Sequence, residues 1–287
     1  MLAGKDQGIS TKVIQRTFKK QAVMKYLRYK NNNKGVILMF QTNESVCQLG
    51  SEKTNGILGV KRPIKKSYYL PMRIVENGGV ISGEYGSGGS RVLISLIGQF
   101  KKRSGQVIFL CRNGAQLDEI KGTLPEVSLE VGSLGGGTSL DMAKEKPLAL
   151  FIDEQADLND LADLIKEGLR GPYPKKTTIF IYDIPTSQVL NLSGALESEI
   201  LSGDICLIAS FAQSYSGLYK LEPLTDLLFE QNGGFCVVMK ELGVSQACIP
   251  WFADQRLLSS EASPIDNAGK GIVYSAQDRV GVEVSFT

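Results

Sequence analysis

Histidine is absent from this chain of 287 residues. That absence excludes a serine–histidine or cysteine–histidine nucleophilic pair, and with it any histidine-ligated zinc. Cysteine is sparse and unpatterned. Cys47, Cys111, Cys206, Cys236 and Cys248 include no C-x-x-C pair, and an odd set of this kind reads as reduced core thiols in a cytosol. No zinc is expected. No apolar run approaches the roughly 20 residues that a membrane helix needs. The N-terminus also lacks the compact apolar segment and small-residue cleavage site of a signal peptide. A cytoplasmic location without a transmembrane segment is the expectation, with room for a peripheral position at the inner face of a membrane.

A surplus of charge is missing as well, since the net charge is only +2, but the balance hides an asymmetry. Residues 1–34 hold nine lysines and arginines against Asp6 alone, which makes this arm +8 and the remainder −6. Such an arm suits nucleic acid, an acidic protein or an anionic membrane; a solvated helix with a lysine-rich face is the plain alternative. The length allows one large domain with small appendages. The expected division is a basic arm over 1–34, an α/β domain over 35–258 and a C-terminal extension over 259–287.

Within the α/β part, short buried-type runs alternate with helical segments. Gly35–Phe40, Gln106–Leu110, Pro147–Ile152, Thr177–Tyr182, Ile205–Ala209 and Phe235–Met239 read as strands. This pattern predicts a mostly parallel sheet with helices on both faces. Residues 42–56 read as a polar loop, and Gly132–Ser139 as a flexible glycine-rich link. A short helix is expected over Leu117–Ile120. The helix after Ile152 should end at Gly168 or Gly171. The last 25 residues hold two apolar runs, Gly271–Tyr274 and Val280–Val284, that suit a terminal hairpin.

The chain is organised around Val80-Ile-Ser-Gly-Glu-Tyr-Gly-Ser-Gly-Gly-Ser-Arg-Val-Leu-Ile94. A strand, a glycine turn and a helix N-terminus in this order form a cradle whose backbone N–H groups face a phosphate. Against the pattern G-x-x-x-x-G-K-[ST], Gly83, Gly88 and Ser90 match, but Gly89 stands where the lysine belongs. Gly83, Gly86, Ser87, Gly88, Gly89, Ser90 and Arg91 are the candidate nucleotide-binding residues. Downstream, Pro147–Ile152 leads into Asp153-Glu154. A strand ending in two acids suits a site where the first carboxylate holds Mg²⁺ through water and the second polarises the attacking water. Ser90 and Asp153 are therefore the candidate metal ligands, and Glu154 the candidate catalytic carboxylate. Asp183, at another strand end, suits either a residue facing the same site or an ordinary acidic turn. Tyr68 and Tyr69 beside Lys65 and Lys66 suit either base stacking or a buried strand, and Trp251 and Phe252 suit core or interface.

From Ile57 to about Gln255 the chain resembles the nucleotide-binding domain of type IV secretion coupling proteins, the VirD4/TraG/TraD group. More broadly it is similar to the FtsK–HerA class of DNA-pumping P-loop ATPases. Gly59-Val-Lys-Arg-Pro63, Val107-Ile-Phe-Leu-Cys-Arg-Asn-Gly114, Leu150-Phe-Ile-Asp-Glu-Gln-Ala-Asp-Leu158, Gly168-Leu-Arg-Gly171 and Thr186-Ser187-Gln188 fall in the family's order. The resemblance implies ATP and Mg²⁺, a homo-oligomeric ring in which Arg170 reaches a neighbouring subunit's nucleotide, and DNA or a DNA–protein transfer complex as cargo of the secretion machinery. The departures are Gly89 for the lysine, Ile184 for the sensor glutamine and Arg112 near a usual aspartate. The family's transmembrane helices and all-helical domain are missing too. Together they imply a coupling-protein-like component whose nucleotide site is degenerate, weak or inactive. Two alternatives stay open: an active DNA-translocating ATPase that recruits another cation, from Arg91 or from Lys61, Arg62, Lys65 and Lys66, and a non-catalytic adaptor built on the old domain.

Overall fold

The computed structural model describes residues 46–54, 64–83, 85–100, 106–125, 130–133, 147–152, 156–170, 176–212, 221–239, 269–276 and 281–286. The arm over 1–34, the expected strand Gly35–Phe40, the segment 57–63, and Trp251 and Phe252 lie outside them.

The elements in chain order are β1 (Val46–Thr54), β2 (Ile64–Pro71), α1 (Met72–Glu76), β3 (Gly79–Gly83), α2 (Gly89–Phe100), β4 (Gln106–Cys111), α3 (Gly114–Thr123), β5 (Glu130–Ser133) and β6 (Leu148–Phe151). They continue with α4 (Asn159–Leu169), β7 (Thr177–Tyr182), α5 (Thr186–Ala195), α6 (Glu197–Leu201), β8 (Ile205–Ala212), α7 (Glu222–Thr225), a π-helical turn (Asp226–Gln231), β9 (Phe235–Met239), β10 (Lys270–Ser275) and β11 (Gly281–Ser285). All the strands join one sheet in the order β2-β1-β11-β10-β9-β3-β8-β7-β4-β6-β5. The seven from β9 to β5 are parallel. The other four pair antiparallel. The expected α/β sheet is therefore present, mostly parallel with helices on both faces.

The parallel strands are apolar on both sides because both faces are covered. Val80 of β3 faces one core and Ile81 the other; Ile108 and Phe109 of β4 divide the same way. One core takes the inner faces of α4, α5 and α6 through Leu161, Val189 and Ile200. The other takes α2 and α3. Along α2, Val92, Leu93, Leu96, Ile97 and Phe100 are all buried, a stripe at helical spacing. Each stabilises the fold by about 1.5–3 kcal/mol relative to exposure. Phe180 of β7 closes this layer, edge-on to Phe100 at 5.4 Å and stacked on Phe109 at 5.6 Å.

Two loop expectations are corrected. The polar stretch 42–56 contains β1, which pairs along its length with β2 and also with β11. Its backbone hydrogen bonds come from distant partners, so its composition, VCQLGSEKT, carries no strand signal. The first two residues of the glycine-rich link, Gly132 and Ser133, are the end of β5, paired with β6 at the sheet's outer edge; the rest of the link lies outside the described residues. The apolar runs near the C-terminus form the hairpin β10–β11, which lies inside the sheet between β9 and β1. Cys111, Cys206 and Cys236 are buried and in no disulfide, and the Cys206 thiol donates to the Val75 carbonyl at 3.4 Å.

Candidate functional site

Ligands of open α/β sheets bind at the carboxyl ends of the strands, where the connections change direction. Here that place is β3. The chain leaves it through α2 toward β4 on one side, and after β8 it crosses to β9 on the other. A cleft of about 520 Å³ opens there, between the ends of β3, β8 and β7 and the first turns of α2 and α3.

The turn from β3 to α2 is held in shape by its glycines. Gly88 has φ +105° and Gly86 φ +86°, the left-handed region that side chains disfavour. A Cβ on Gly83 would come within 2.4 Å of the Met239 Cβ, so β3 can end there only without a side chain. A far segment clips the turn in place. Gly269, at the start of β10, donates its N–H to the Ser87 carbonyl at 2.8 Å. Phe286, beyond β11, then donates to the Gly269 carbonyl at 2.7 Å.

Of the residues expected from sequence to bind nucleotide, Gly83, Gly86, Gly88, Gly89, Ser90 and Arg91 line the cleft. Ser87 lies beneath it, fully buried, and its Oγ has no hydrogen-bond partner. At Gly89 the backbone is helical and an added Cβ would find its nearest neighbours at 3.5 to 3.8 Å, ordinary contact. A side chain fits there. Asp153 and Glu154 lie outside the described residues. The strand that leads into them, β6, is separated from β3 by β8, β7 and β4. Arg170 caps the C-terminus of α4 with its N–H on the Lys166 and Glu167 carbonyls; it is exposed and does not line the cleft. Lys65 and Lys66 lie on β2, five strands from β3, roughly 24 Å at the usual spacing. Lys61 and Arg62 lie outside the described residues.

The opposite wall comes from residues the sequence pattern did not single out as a group. Asp183 follows β7 with φ +53°, a backbone state uncommon outside glycine and best tolerated by Asn and Asp. Its N–H donates to the Ser210 carbonyl at 2.9 Å, and its Oδ1 accepts from the Ala212 N–H at 3.2 Å. These bonds hold its carboxylate at the ends of β7 and β8. Asn113 caps α3 by accepting from the Gln116 N–H at 3.0 Å, which brings Gln116 and Glu119 to the cleft. The Tyr182 phenol donates to Glu119 Oε2, and the Ser90 side chain hydrogen-bonds the same phenol. Burial first, then the Glu119 hydrogen bond, pushes the Tyr182 phenol up to about 12, while the Ser90 bond acts the other way. Polar residues at the ends of β4 and β7 were the available signal. Glu119, a full turn inside α3, left none.

The arrangement suits an anion on the loop side. Glycine N–H groups and the N-terminus of α2 converge on the cleft, and Arg91 is the one cation among its described lining residues. Ser90 and Asp183 bring two hard oxygens to the cleft, a donor pair suited to Mg²⁺. Among the described residues no group of three or more His, Cys, Asp or Glu side chains is placed to hold a metal alone. Any Mg²⁺ there would complete its shell with water and with a ligand's phosphate oxygens.

No family model matches the chain, and no curated protein matches it in sequence. Solved structures do match in shape. The cytoplasmic domain of the type VII secretion ATPase EccC from Thermomonospora curvata superposes with a TM-score of 0.51 at 12% identity, covering 85% of this chain and 26% of that one. The fold is the P-loop NTPase-like α/β fold of that ATPase. EccC ATPases 2 and 3, solved with a signal sequence peptide, match at TM-score 0.50 and 12% identity over 84% of this chain and 40% of that one. The pCW3 conjugation coupling protein TcpA, solved with ATPγS, scores 0.42 at 12% identity over 91% and 69%. This chain thus spans under half the length of the EccC chains it matches. Among the described residues no helix is long and apolar enough to cross a membrane.

Proposed function

We propose that this chain is a nucleotide-responsive component of a machine that transfers DNA or protein, of the coupling-protein or secretion-ATPase kind, with a degenerate phosphate site. One observation carries the reading. The phosphate loop keeps its backbone cradle and its place over β3, yet Gly89 supplies no ammonium where a side chain would fit. In this reading Gly86, Gly88 and Gly89 face phosphate through backbone N–H groups, Ser87 contributes main chain only, and Arg91 flanks the site.

Ser90 and Asp183 are the oxygens assigned to Mg²⁺. β7, which ends at Asp183, is two strands from β3, whereas β6, which leads into Asp153-Glu154, is four strands away, roughly 19 Å. The ion, when bound, neutralises the phosphate oxygens that the lysine would otherwise meet. The chain's own residues then bind and orient the nucleotide, and the lack of an ammonium at residue 89 withholds stabilisation as charge grows in phosphoryl transfer. A charge-assisted contact to phosphate is worth roughly 1.5–3 kcal/mol, about ten- to a hundredfold in affinity. Weak binding with slow or absent turnover is the expected balance. The basic arm over 1–34 supports DNA as a partner, and exposed Arg170 supports a ring in which it meets the next subunit's nucleotide.

The test is a titration with labelled ATP in Mg²⁺, with and without DNA, on the natural chain and on Gly89→Lys. The natural chain should bind weakly and turn over well below about 1 s⁻¹, the low end of ordinary enzyme rates. Gly89→Lys should tighten binding by about ten- to a hundredfold. Unchanged binding in the variant would sink the phosphate-cradle reading; rapid turnover by the natural chain would sink the degenerate one.

A further inference from the structure

The two walls of the cleft carry opposite character. On the loop side stand backbone N–H groups and Arg91; on the other side stand two carboxylates, Glu119 and Asp183. With Gly89 in place of a lysine, the described lining is net acidic by one charge.

The acids are not spread evenly. Tyr182 links Glu119 to Ser90 through its phenol, by one hydrogen bond to each. The Glu119 carboxylate therefore lies no further than two hydrogen-bond lengths, about 5.6 Å, from the Ser90 hydroxyl. In a phosphate loop the serine end of the helix is where the metal and the β- and γ-phosphates gather. Glu119 is exposed in the open cleft, but a bound nucleotide displaces that water, and the repulsion between like charges grows as water leaves. A terminal phosphate beside Ser90 meets this carboxylate with only a bound Mg²⁺, and no lysine, to offset the repulsion. A ligand one phosphate shorter stops before it.

Resting on the reading that the cleft holds a nucleotide, we infer that Glu119, positioned by Tyr182, is a specificity-determining residue that favours nucleoside diphosphates over triphosphates. The loop cradles the inner phosphates, and the α3 wall excludes the outermost one. Tyr182 acts through Glu119: its phenol holds the carboxylate over Ser90, where a free glutamate would swing away into solvent.

Calorimetric titrations with ADP and with ATP, both in saturating Mg²⁺, on the natural chain, Glu119→Gln and Tyr182→Phe test this. The natural chain should bind ADP at least about tenfold more tightly than ATP. Glu119→Gln should gain about tenfold or more for ATP while its ADP affinity stays within about twofold. Tyr182→Phe, which releases the carboxylate without neutralising it, should narrow the ratio without erasing it. Equal affinities in the natural chain, or a Glu119→Gln protein with an unchanged ratio or with both nucleotides weakened, would overturn the inference and leave the nucleotide cleft standing. If none of the three proteins bound either nucleotide while all remained folded by circular dichroism, the nucleotide reading itself would fall, and the inference with it.

Discussion

The sheet has two flanks that build the same cleft by different means. The parallel flank, from β9 to β5, is sandwiched between helices and, apart from its edge strand β5, made of nearly continuous apolar strands. It supplies the phosphate turn, the strand ends with Tyr182 and Asp183, and the helix that carries Glu119. The antiparallel flank, β10, β11, β1 and β2, holds strands as polar as β1, and supplies one residue, Gly269, that fastens the turn. One flank makes the chemistry available; the other fixes where it stands. The two meet again at Gln99 on α2, whose side-chain amide accepts from the Gln48 N–H at 2.8 Å and donates to the Gln48 carbonyl at 2.7 Å. That amide imitates a strand neighbour beside the irregularity between Gln48 and Gly50.

The contrast predicts unequal damage. Phe180→Ala, which removes the ring between Phe100 and Phe109 in the parallel flank, should destabilise the whole domain by about 3–5 kcal/mol. Urea unfolding followed by far-UV circular dichroism reads this directly. A loss below about 1 kcal/mol would mean that the parallel core can collapse around the gap.

Gln99→Ala breaks both bonds to Gln48, along with the weaker contacts of the same amide to Ser95, at a half-buried position; it should cost about 1–2 kcal/mol, felt mainly in the antiparallel flank. Amide hydrogen exchange in β1 and β2 should quicken while β3, β7 and β8 stay protected. Equal acceleration in both flanks would show that they unfold as one unit and erase the distinction.

The smallest effect is in alkali. Tyr182 has its phenol raised to about 12 when folded, against about 10 in an unfolded chain. The protonated, bonded phenol thus stabilises the fold fully below about pH 10, and this contribution disappears as pH rises through 12. Buried Cys111 and Cys236, also pushed up to about 12, change stability in the same direction. Comparing the natural chain with Tyr182→Phe isolates the phenol: the variant's stability should fall less steeply between pH 10 and 12. Parallel curves would detach Tyr182 from the α3 wall.

What was legible in the sequence follows the same division. Strands β4, β7, β8 and β9 declare themselves because burial on both faces demands unbroken apolar runs. Gly83, Gly86 and Gly88 declare themselves because positive φ at Gly86 and Gly88, and the lack of room for a Cβ at Gly83, select glycine. β1 and the end of β5 look like loop in the sequence because their pairing comes from partners remote in the chain, and pairing of that kind leaves no local trace. The carboxylate wall was half visible. Asp183 stands at the end of an obvious strand, but that strand's place two from β3 depends on topology, and Glu119 depends on how far α3 extends past its Asn113 cap.

The bond between Gly269 and Ser87 also sets an order in time. The two residues lie well over half the chain apart, and during synthesis the phosphate turn emerges long before its fastener. At about 5–20 residues per second, the turn waits on the order of ten to forty seconds for Gly269. Until then the open side of β9 has no β10, and Ser87 has no partner for its carbonyl from the hairpin. A chain interrupted anywhere between Gly89 and Gly269 would keep every glycine of the loop and still lack the bond that shapes it. The cleft is therefore among the last parts of the molecule to be finished, although its sequence signature is among the first to be translated.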